Sequence, residues 1–126
     1  MSKSSSKSES PIKWLPDVAE HDYEAARNYL SIKFDEKRAG EAVDRMKKAT
    51  LTWRRCNDIL RATGLPPLPL TDPGIKRDLL TLLNGGKLSP VLVCDQKIGA
   101  DIADGYHRVS LAYNLDPFMT VPLRLG

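Results

Sequence analysis

The segment Asp104-Gly-Tyr-His-Arg108 has the residue types of an anion site at the start of a helix. The residues before it are apolar and strand-like, and those after it have the spacing of an amphipathic helix. The first amide groups of a helix lack intrahelical partners and lie at the positive end of its dipole, so they favour a bound phosphate. We therefore expect phosphate contacts from Gly105, Tyr106, His107 and Arg108, with the guanidinium projecting into a cleft.

An ordinary strand-to-helix turn is the alternative interpretation of the same residues. Asp104 would then cap the helix, Gly105 would supply unusual torsion angles, and Arg108 would pair with a nearby acid. Asp104 and His107 are the candidate acid–base groups, and whether the protein is an enzyme stays open. No metal site is predicted, because a lone histidine is not a metal site and His21 lies in the unrelated N-terminal part.

Two helices are predicted in the N-terminal part of the chain. Acidic residues stand near the start of the first helix, where they complement its dipole, and Asp35 is the N-cap of the second. Apolar residues recur at helical spacing in both, namely Tyr23, Ala26, Leu30 and Phe34 in the first and Ala39, Val43 and Met46 in the second.

The C-terminal part alternates strand signals with helix signals. In order, the sequence predicts a strand at 50–53, a helix at 57–64, an extended proline-rich segment at 65–70, a helix from Asp72, a hairpin with strands at 90–94 and 98–103 and a turn at 95–97, a helix at 106–114 and a strand at 120–125. The helix capped by Asp72 is expected to bury Ile75, Leu79 and Leu83. The last strand is expected to lie at a sheet edge or to be irregular, because Pro122 has no amide hydrogen to donate.

The composition argues against several classes of protein. The chain has 126 residues and a formal net charge of +3 with both signs interspersed, which does not favour nucleic acid as a partner. It contains no run of about 20 apolar residues that could cross a bilayer and no secretion signal, so we expect no membrane association. Cys56 and Cys94 form no metal or redox pattern, and we therefore expect a cytoplasmic protein.

Residues from about Thr50 to Leu125 resemble the ParB/sulfiredoxin-like domain family. The likeness rests on the helix after Asp72-Pro73, the strand Leu88-Ser-Pro-Val-Leu-Val93, the hairpin, the turn Asp104–Arg108 and the closing Val121-Pro-Leu-Arg-Leu125. From Trp14 onward the chain is also similar to small bacterial ParB-like proteins of unassigned function, which share His21-Asp22-Tyr23 and Ala103-Asp-Gly-Tyr-His-Arg108. The resemblance implies an α+β fold, a small mixed β-sheet with packed helices and an added N-terminal helical layer.

Three segments follow from these patterns. Residues 1–11 are rich in serine and lysine and are expected to be a disordered tail, because they can bury little apolar surface. Residues 12–48 form an N-terminal helical extension, which begins with an arm at Trp14–Val18 that docks on the rest of the chain. Residues 49–126 form the ParB/sulfiredoxin-like domain.

The resemblance also implies a ligand. In both related families this turn holds nucleotide phosphates, so the expected ligand is a nucleotide, ATP or CTP with Mg²⁺, or another phosphorylated small molecule. Further contacts are expected from Lys76 and Arg77, on the helix that sends a lysine toward the nucleotide in sulfiredoxins, and from Ser89. Tyr106 occupies the place of the sulfiredoxin nucleophile and cannot form its sulfur intermediates, which excludes sulfinic-acid reduction. Phosphoryl transfer or hydrolysis stays open.

Two other functions stay open beside ligand binding. One is a non-catalytic interaction module with a vestigial anion pocket, in which the helices around Tyr23 and Met46 form a surface for a protein partner or a homodimer. The other is a DNA-binding protein or nuclease, which the ParB likeness and the basic tail suggest and which predicts binding that weakens steeply with salt. No helix-turn-helix segment follows Leu125 in this sequence, so chromosome partitioning is excluded.

Overall fold

The structure is a computed structural model that describes residues 11–96 and 99–126. Its elements follow in the order α1 Glu20–Lys33, α2 Glu36–Lys48, β1 Thr52–Arg55, α3 Cys56–Thr63, α4 Pro73–Leu83, β2 Val91–Gln96, β3 Gly99–Asp104, α5 Tyr106–Leu115 and β4 Thr120–Leu125. Across the described residues this is a mixed α+β fold, as the sequence predicts. The predicted tail lies outside the described residues except for residue 11.

The strands form one mixed sheet in the order β1-β4-β2-β3. β2 and β3 pair antiparallel, which confirms the predicted hairpin, and β2 runs parallel to β4. β2 is therefore a central strand. It extends through Gln96, so Asp95 and Gln96 belong to the strand rather than to the predicted turn, and Lys97 lies outside the described residues.

The prediction that the last strand lies at a sheet edge or is irregular is wrong, because β4 lies between β1 and β2 and pairs with both. Pro122 is opposite Trp53 of β1, whereas the ladder to β2 begins one residue later, where Leu123 pairs with Val91. An antiparallel pair leaves alternate residues without mutual hydrogen bonds, and the parallel ladder does not include Pro122. A residue without an amide hydrogen is tolerated at this position for that reason.

Helices cover both faces of the sheet. α1 and α2 pack on one face in a core that includes Leu30, Met46 and Leu92. Helices α3, α4 and α5 contribute to a second core, on the other face, that includes Val93 and Leu111. Because both faces are covered, β2 begins as a continuous run of buried apolar residues. Within the described ranges, every helix is too short or too polar to cross a membrane.

The segment before α1 docks beside the residues that lead into β2, as the sequence predicts for an arm. The amide of Leu15 donates to the Leu88 carbonyl at 2.7 Å, and the Leu88 amide donates to the Lys13 carbonyl at 2.8 Å. At the far end of the arm, Arg124 of β4 contacts the Asp17 carboxylate at 2.9 Å. These contacts fix the start of α1 and with it the position of Asp22.

Helix α4 buries less apolar surface than the sequence predicts. Its start is as expected, because Pro73 occupies the first turn and the Asp72 carboxylate accepts from the backbone amides of residues 74 and 75. Ile75 is fully buried, but Leu79 is only half-buried and Leu83 is 73% exposed. α4 packs mainly against α5 rather than on the sheet, so less of its surface is covered than in a helix that lies flat on a sheet.

Candidate functional site

The turn from β3 to α5 has a different geometry from the predicted capped turn. Gly105 is the N-cap residue, with φ of +109°, and no side chain caps the helix. The Asp104 carboxylate instead accepts from Arg108 Nη2 at 2.7 Å. A Cβ atom at Gly105 would lie 2.8 Å from Arg108 Nη2 and 3.0 Å from Val91. Glycine is needed here because the protein's own side chains approach the backbone, in addition to the positive φ.

Arg108 lies between two carboxylates. Its Nη2 binds Asp104 at 2.7 Å and its Nη1 lies 3.3 Å from Asp22 Oδ2. The arginine side chain is only 14% exposed, and its Nε is buried without a hydrogen-bond partner among the described residues. The expectation that the guanidinium projects into a cleft is therefore wrong. Arg108 joins α5 to α1 and to the end of β3.

Three carboxylates collect around this guanidinium. Burial raises the pKa of Asp104, Arg108 opposes that rise, and the neighbouring Asp22 adds to it. Burial also raises the pKa of Asp78 on α4, against the charges of Arg108 and His107. The Oδ2 atom of Asp78 is buried and has no partner within the described part of the chain. The guanidinium of Arg108 thus pairs with Asp22 and Asp104, and its charge also acts on Asp78.

His107 lies where the N-termini of α4 and α5 meet. Its Nε2 is 3.3 Å from Oδ2 of Asp72, the N-cap of α4, and its side chain is 49% exposed. Its ring also packs against the first turn of α4, because a Cβ atom at Gly74 would lie 2.3 Å from the ring. The positive ends of two helix dipoles therefore converge beside a half-exposed imidazole.

The other predicted contacts differ in how accessible they are. Lys76 and Arg77 are exposed near the start of α4. The Tyr106 hydroxyl donates to the Pro66 carbonyl. Ser89 is buried, and its hydroxyl accepts from the Ala19 amide at 2.9 Å and donates to the Pro90 carbonyl. Lys76 and Arg77 thus remain candidates for a ligand contact, whereas the Ser89 hydroxyl is buried and already bonded to the backbone at the start of α1 and at Pro90.

The sequence patterns identify neither Asp22 nor Asp78 as a neighbour of Arg108. The sequence places Asp22 near a helix start and within the shared segment His21-Asp22-Tyr23, and nothing in it links this segment to the turn Asp104–Arg108. In the structure His21 Nε2 lies 3.2 Å from one oxygen of Asp22, whose other oxygen binds Arg108. A signal was present, because Asp22 lies four and eight residues before Ala26 and Leu30 and so falls on the buried stripe of the helix.

Other reactive groups lie outside this cluster. Asp101 accepts from Tyr29 Oη and Lys33 Nζ, both at 2.7 Å, and so belongs to the contact between α1 and β3. Burial raises the pKa of the Cys56 thiol to about 11 and also raises that of Cys94. Both thiols are therefore protonated near neutral pH. In the two described ranges, no three His, Cys, Asp or Glu side chains are grouped as a metal site requires.

Replacing Asp78 by asparagine is expected to raise Tm by about 2 °C near pH 7. Burial raises the pKa of Asp78, so this group favours folding when protonated, below its unfolded pKa, and that contribution is lost as the pH rises through the folded pKa. The gain from asparagine should therefore vanish below about pH 4. Thermal unfolding at both pH values checks this, with Asp58→Asn, an exposed acid, as the control. An equal gain at both pH values would contradict the electrostatic cause.

Comparisons of the chain with protein-family models, with curated proteins and with solved structures find no match. The likeness to ParB/sulfiredoxin-like domains thus rests on the sequence segments quoted above. The geometry itself brings together two helix N-termini, a half-exposed histidine and a largely buried ion-pair cluster.

Proposed function

We propose that this protein binds a phosphorylated small molecule or a nucleotide, such as ATP or CTP, at the converging N-termini of α4 and α5. The observation that carries the proposal is the position of His107, 3.3 Å from the N-cap carboxylate of α4 and in the first turn of α5. The dipole of α5 and its uncapped first-turn amides favour an anion at this place, whereas the N-terminus of α4 already binds the Asp72 carboxylate.

Each contact has a separate role in this proposal. The backbone amides of Tyr106 and His107 and the imidazole of His107 contact the phosphate. Lys76 and Arg77 are exposed on α4 and attract the anion. Arg108 fixes the turn without touching the ligand, because both of its terminal nitrogens bind carboxylates. Asp104 is held in the same way, so His107 is the acid–base group to test for turnover.

The acids near the turn restrict where the phosphate sits. Asp22 and Asp104 lie on the inner side of the cluster, where their side chains are 6% and 21% exposed. Their charge would repel an anion placed there, and so would the Asp72 carboxylate 3.3 Å from His107 Nε2, so we place the phosphate on the solvent side of His107 and away from Asp72. Mg²⁺ enters this proposal as a companion of the nucleotide phosphates, which with water supply most of its ligands. We keep the cytoplasm as the compartment, because both cysteines are free.

Calorimetric titration with ATP, CTP and inorganic phosphate, with and without Mg²⁺, tests the proposal. His107→Ala should weaken binding about 5- to 10-fold, which is about 1 to 1.4 kcal/mol and so near the upper end for one ordinary hydrogen bond. His21→Ala is the matched control: its side chain is 86% exposed, it lies outside the proposed phosphate contacts, and it should leave the affinity unchanged. The absence of saturable binding up to about 1 mM, or equal losses in the two variants, would contradict it.

The alternative function, an interaction module, would need a partner surface made of residues other than Tyr23 and Met46. Tyr23 and Met46 are buried between their helices and the sheet, with 7% and 0% exposure. A partner surface on α1 and α2 would therefore consist of other residues, such as Ile32, which is 85% exposed. The basic tail that suggested DNA binding lies outside the described residues.

A further inference from the structure

The proline-rich segment Leu65–Leu70 joins α3 to α4 and shows burial with a period of three. Leu65 and Leu68 are half-buried and pack on the core beneath α3 and α5. The other four residues are exposed, namely Pro66, Pro67, Pro69 and Leu70. A period of three is that of the polyproline II helix, which the fixed φ of proline and the restriction on residues before proline both favour.

Helix α5 holds this segment in place from one side. The Tyr106 hydroxyl donates to the Pro66 carbonyl, and the Ser110 hydroxyl accepts from the Leu68 amide at 3.0 Å. Asn114 Nδ2 donates to the Leu68 carbonyl at 2.9 Å. These three side chains are spaced four residues apart and so lie on one face of α5. The backbone of the segment is thus already ordered, with one edge on the protein and two edges outward.

The two outward edges of the segment resemble a peptide ligand for a protein partner more than an ordinary surface loop. Pro66 and Pro69 share one edge and Pro67 lies on the other, so both edges are apolar. Leu70, also exposed, follows in a turn in which the Asp72 amide donates to the Pro69 carbonyl at 2.9 Å. Exposed connecting segments are usually polar, and apolar residues on them tend to mark contacts with partners. The spacing of Pro66 and Pro69 is that of the P-x-x-P core, which grooves lined by aromatic side chains bind.

We propose that Leu65–Leu70 is a docking ligand for a partner protein that presents an aromatic-lined groove for polyproline II helices. This surface is distinct from the phosphate site at His107. Holding the segment in its bound conformation removes part of the ordering entropy that a free peptide would lose on binding. The intact protein should therefore bind such a groove more tightly than the excised hexapeptide.

The test uses a panel of purified SH3 and WW domains titrated with the intact protein by NMR. We expect saturable binding to at least one domain at a dissociation constant of about 10 to 100 μM, at least about 3-fold tighter than that of a peptide covering residues 65–70. The double variant Pro66→Ala, Pro69→Ala should lose about 10-fold in affinity or more. Leu83→Ser removes another exposed apolar residue, which lies on α4 outside the segment, and should leave the affinity unchanged.

A second variant tests the role of α5. Tyr106→Phe keeps the ring but removes the hydrogen bond to Pro66, and it should weaken binding about 2- to 4-fold, toward the affinity of the peptide. The proposal is overturned if no domain binds up to about 1 mM, if the proline variant binds as well as the parent, or if Leu83→Ser causes the same loss. Equal affinity of the peptide and the intact protein would overturn the claim of preorganisation.

Discussion

Replacing Arg108 by alanine is expected to lower the free energy of unfolding by about 3 to 4 kcal/mol. The change removes the cation that pairs with both Asp22 and Asp104. The Asp22 side chain is only 6% exposed, so water cannot replace the lost partner well. Uncompensated buried carboxylates are among the few causes of losses this large in point variants. Urea unfolding of the two proteins near pH 7 measures the difference.

Two controls separate the electrostatic cause from lost packing. Adding Asp22→Asn and Asp104→Asn to the alanine variant should restore at least about half of the loss, because the orphaned charges are removed. Loss of Arg108 should also raise the pKa of Asp104 further, because the guanidinium now opposes the effect of burial, so the deficit should shrink as the pH falls and this acid protonates. A deficit below about 1 kcal/mol near pH 7 would show that these ion pairs do not support the fold.

Local sequence signals predicted the ends of several helices correctly. Asp35 and Asp72 cap α2 and α4 through bonds to amides two or three residues away, and Gly64 ends α3 in the left-handed conformation. Such signals are readable because both partners lie within one turn of the chain. The hairpin of β2 and β3 was also predicted, since two apolar runs with a short connection pair antiparallel.

The errors arose where distant segments decide the outcome. Arg108 and Asp22 are 86 residues apart, and nothing near either residue identifies the other as its partner. The same arginine at a helix start predicts a ligand contact when its partner is unknown and a structural ion pair once the partner is seen. The central position of Pro122 likewise depends on where β2 begins to pair, which lies outside the strand itself. Residue types thus draw attention to the turn between β3 and α5, whereas tertiary contacts determine what its arginine does.

Replacing Gly105 by alanine is expected to lower the free energy of unfolding by about 3 kcal/mol. Its φ of +109° is strained for any residue with a Cβ atom, and that atom would lie 2.8 Å from Arg108 Nη2 and 3.0 Å from Val91. Gly64→Ala is the matched control, because Gly64 also has a positive φ, +69°, but nothing within 4 Å of the added carbon. That control should lose only about 1 kcal/mol.

A double-mutant cycle assigns the additional loss at Gly105 to the displaced guanidinium. Alanine at 105 pushes Arg108 away from Asp104 and Asp22, so much of its effect should disappear when Arg108 is already alanine. We expect the Gly105→Ala loss to fall from about 3 to about 1.5 kcal/mol in the Arg108→Ala background, the remainder being backbone strain and the contact with Val91. The Gly64→Ala loss should be the same in both backgrounds, because a carbon added at Gly64 has nothing within 4 Å and so does not contact Arg108. Strict additivity of the Gly105 and Arg108 losses would mean that the glycine serves the backbone alone and that the ion-pair cluster does not require it.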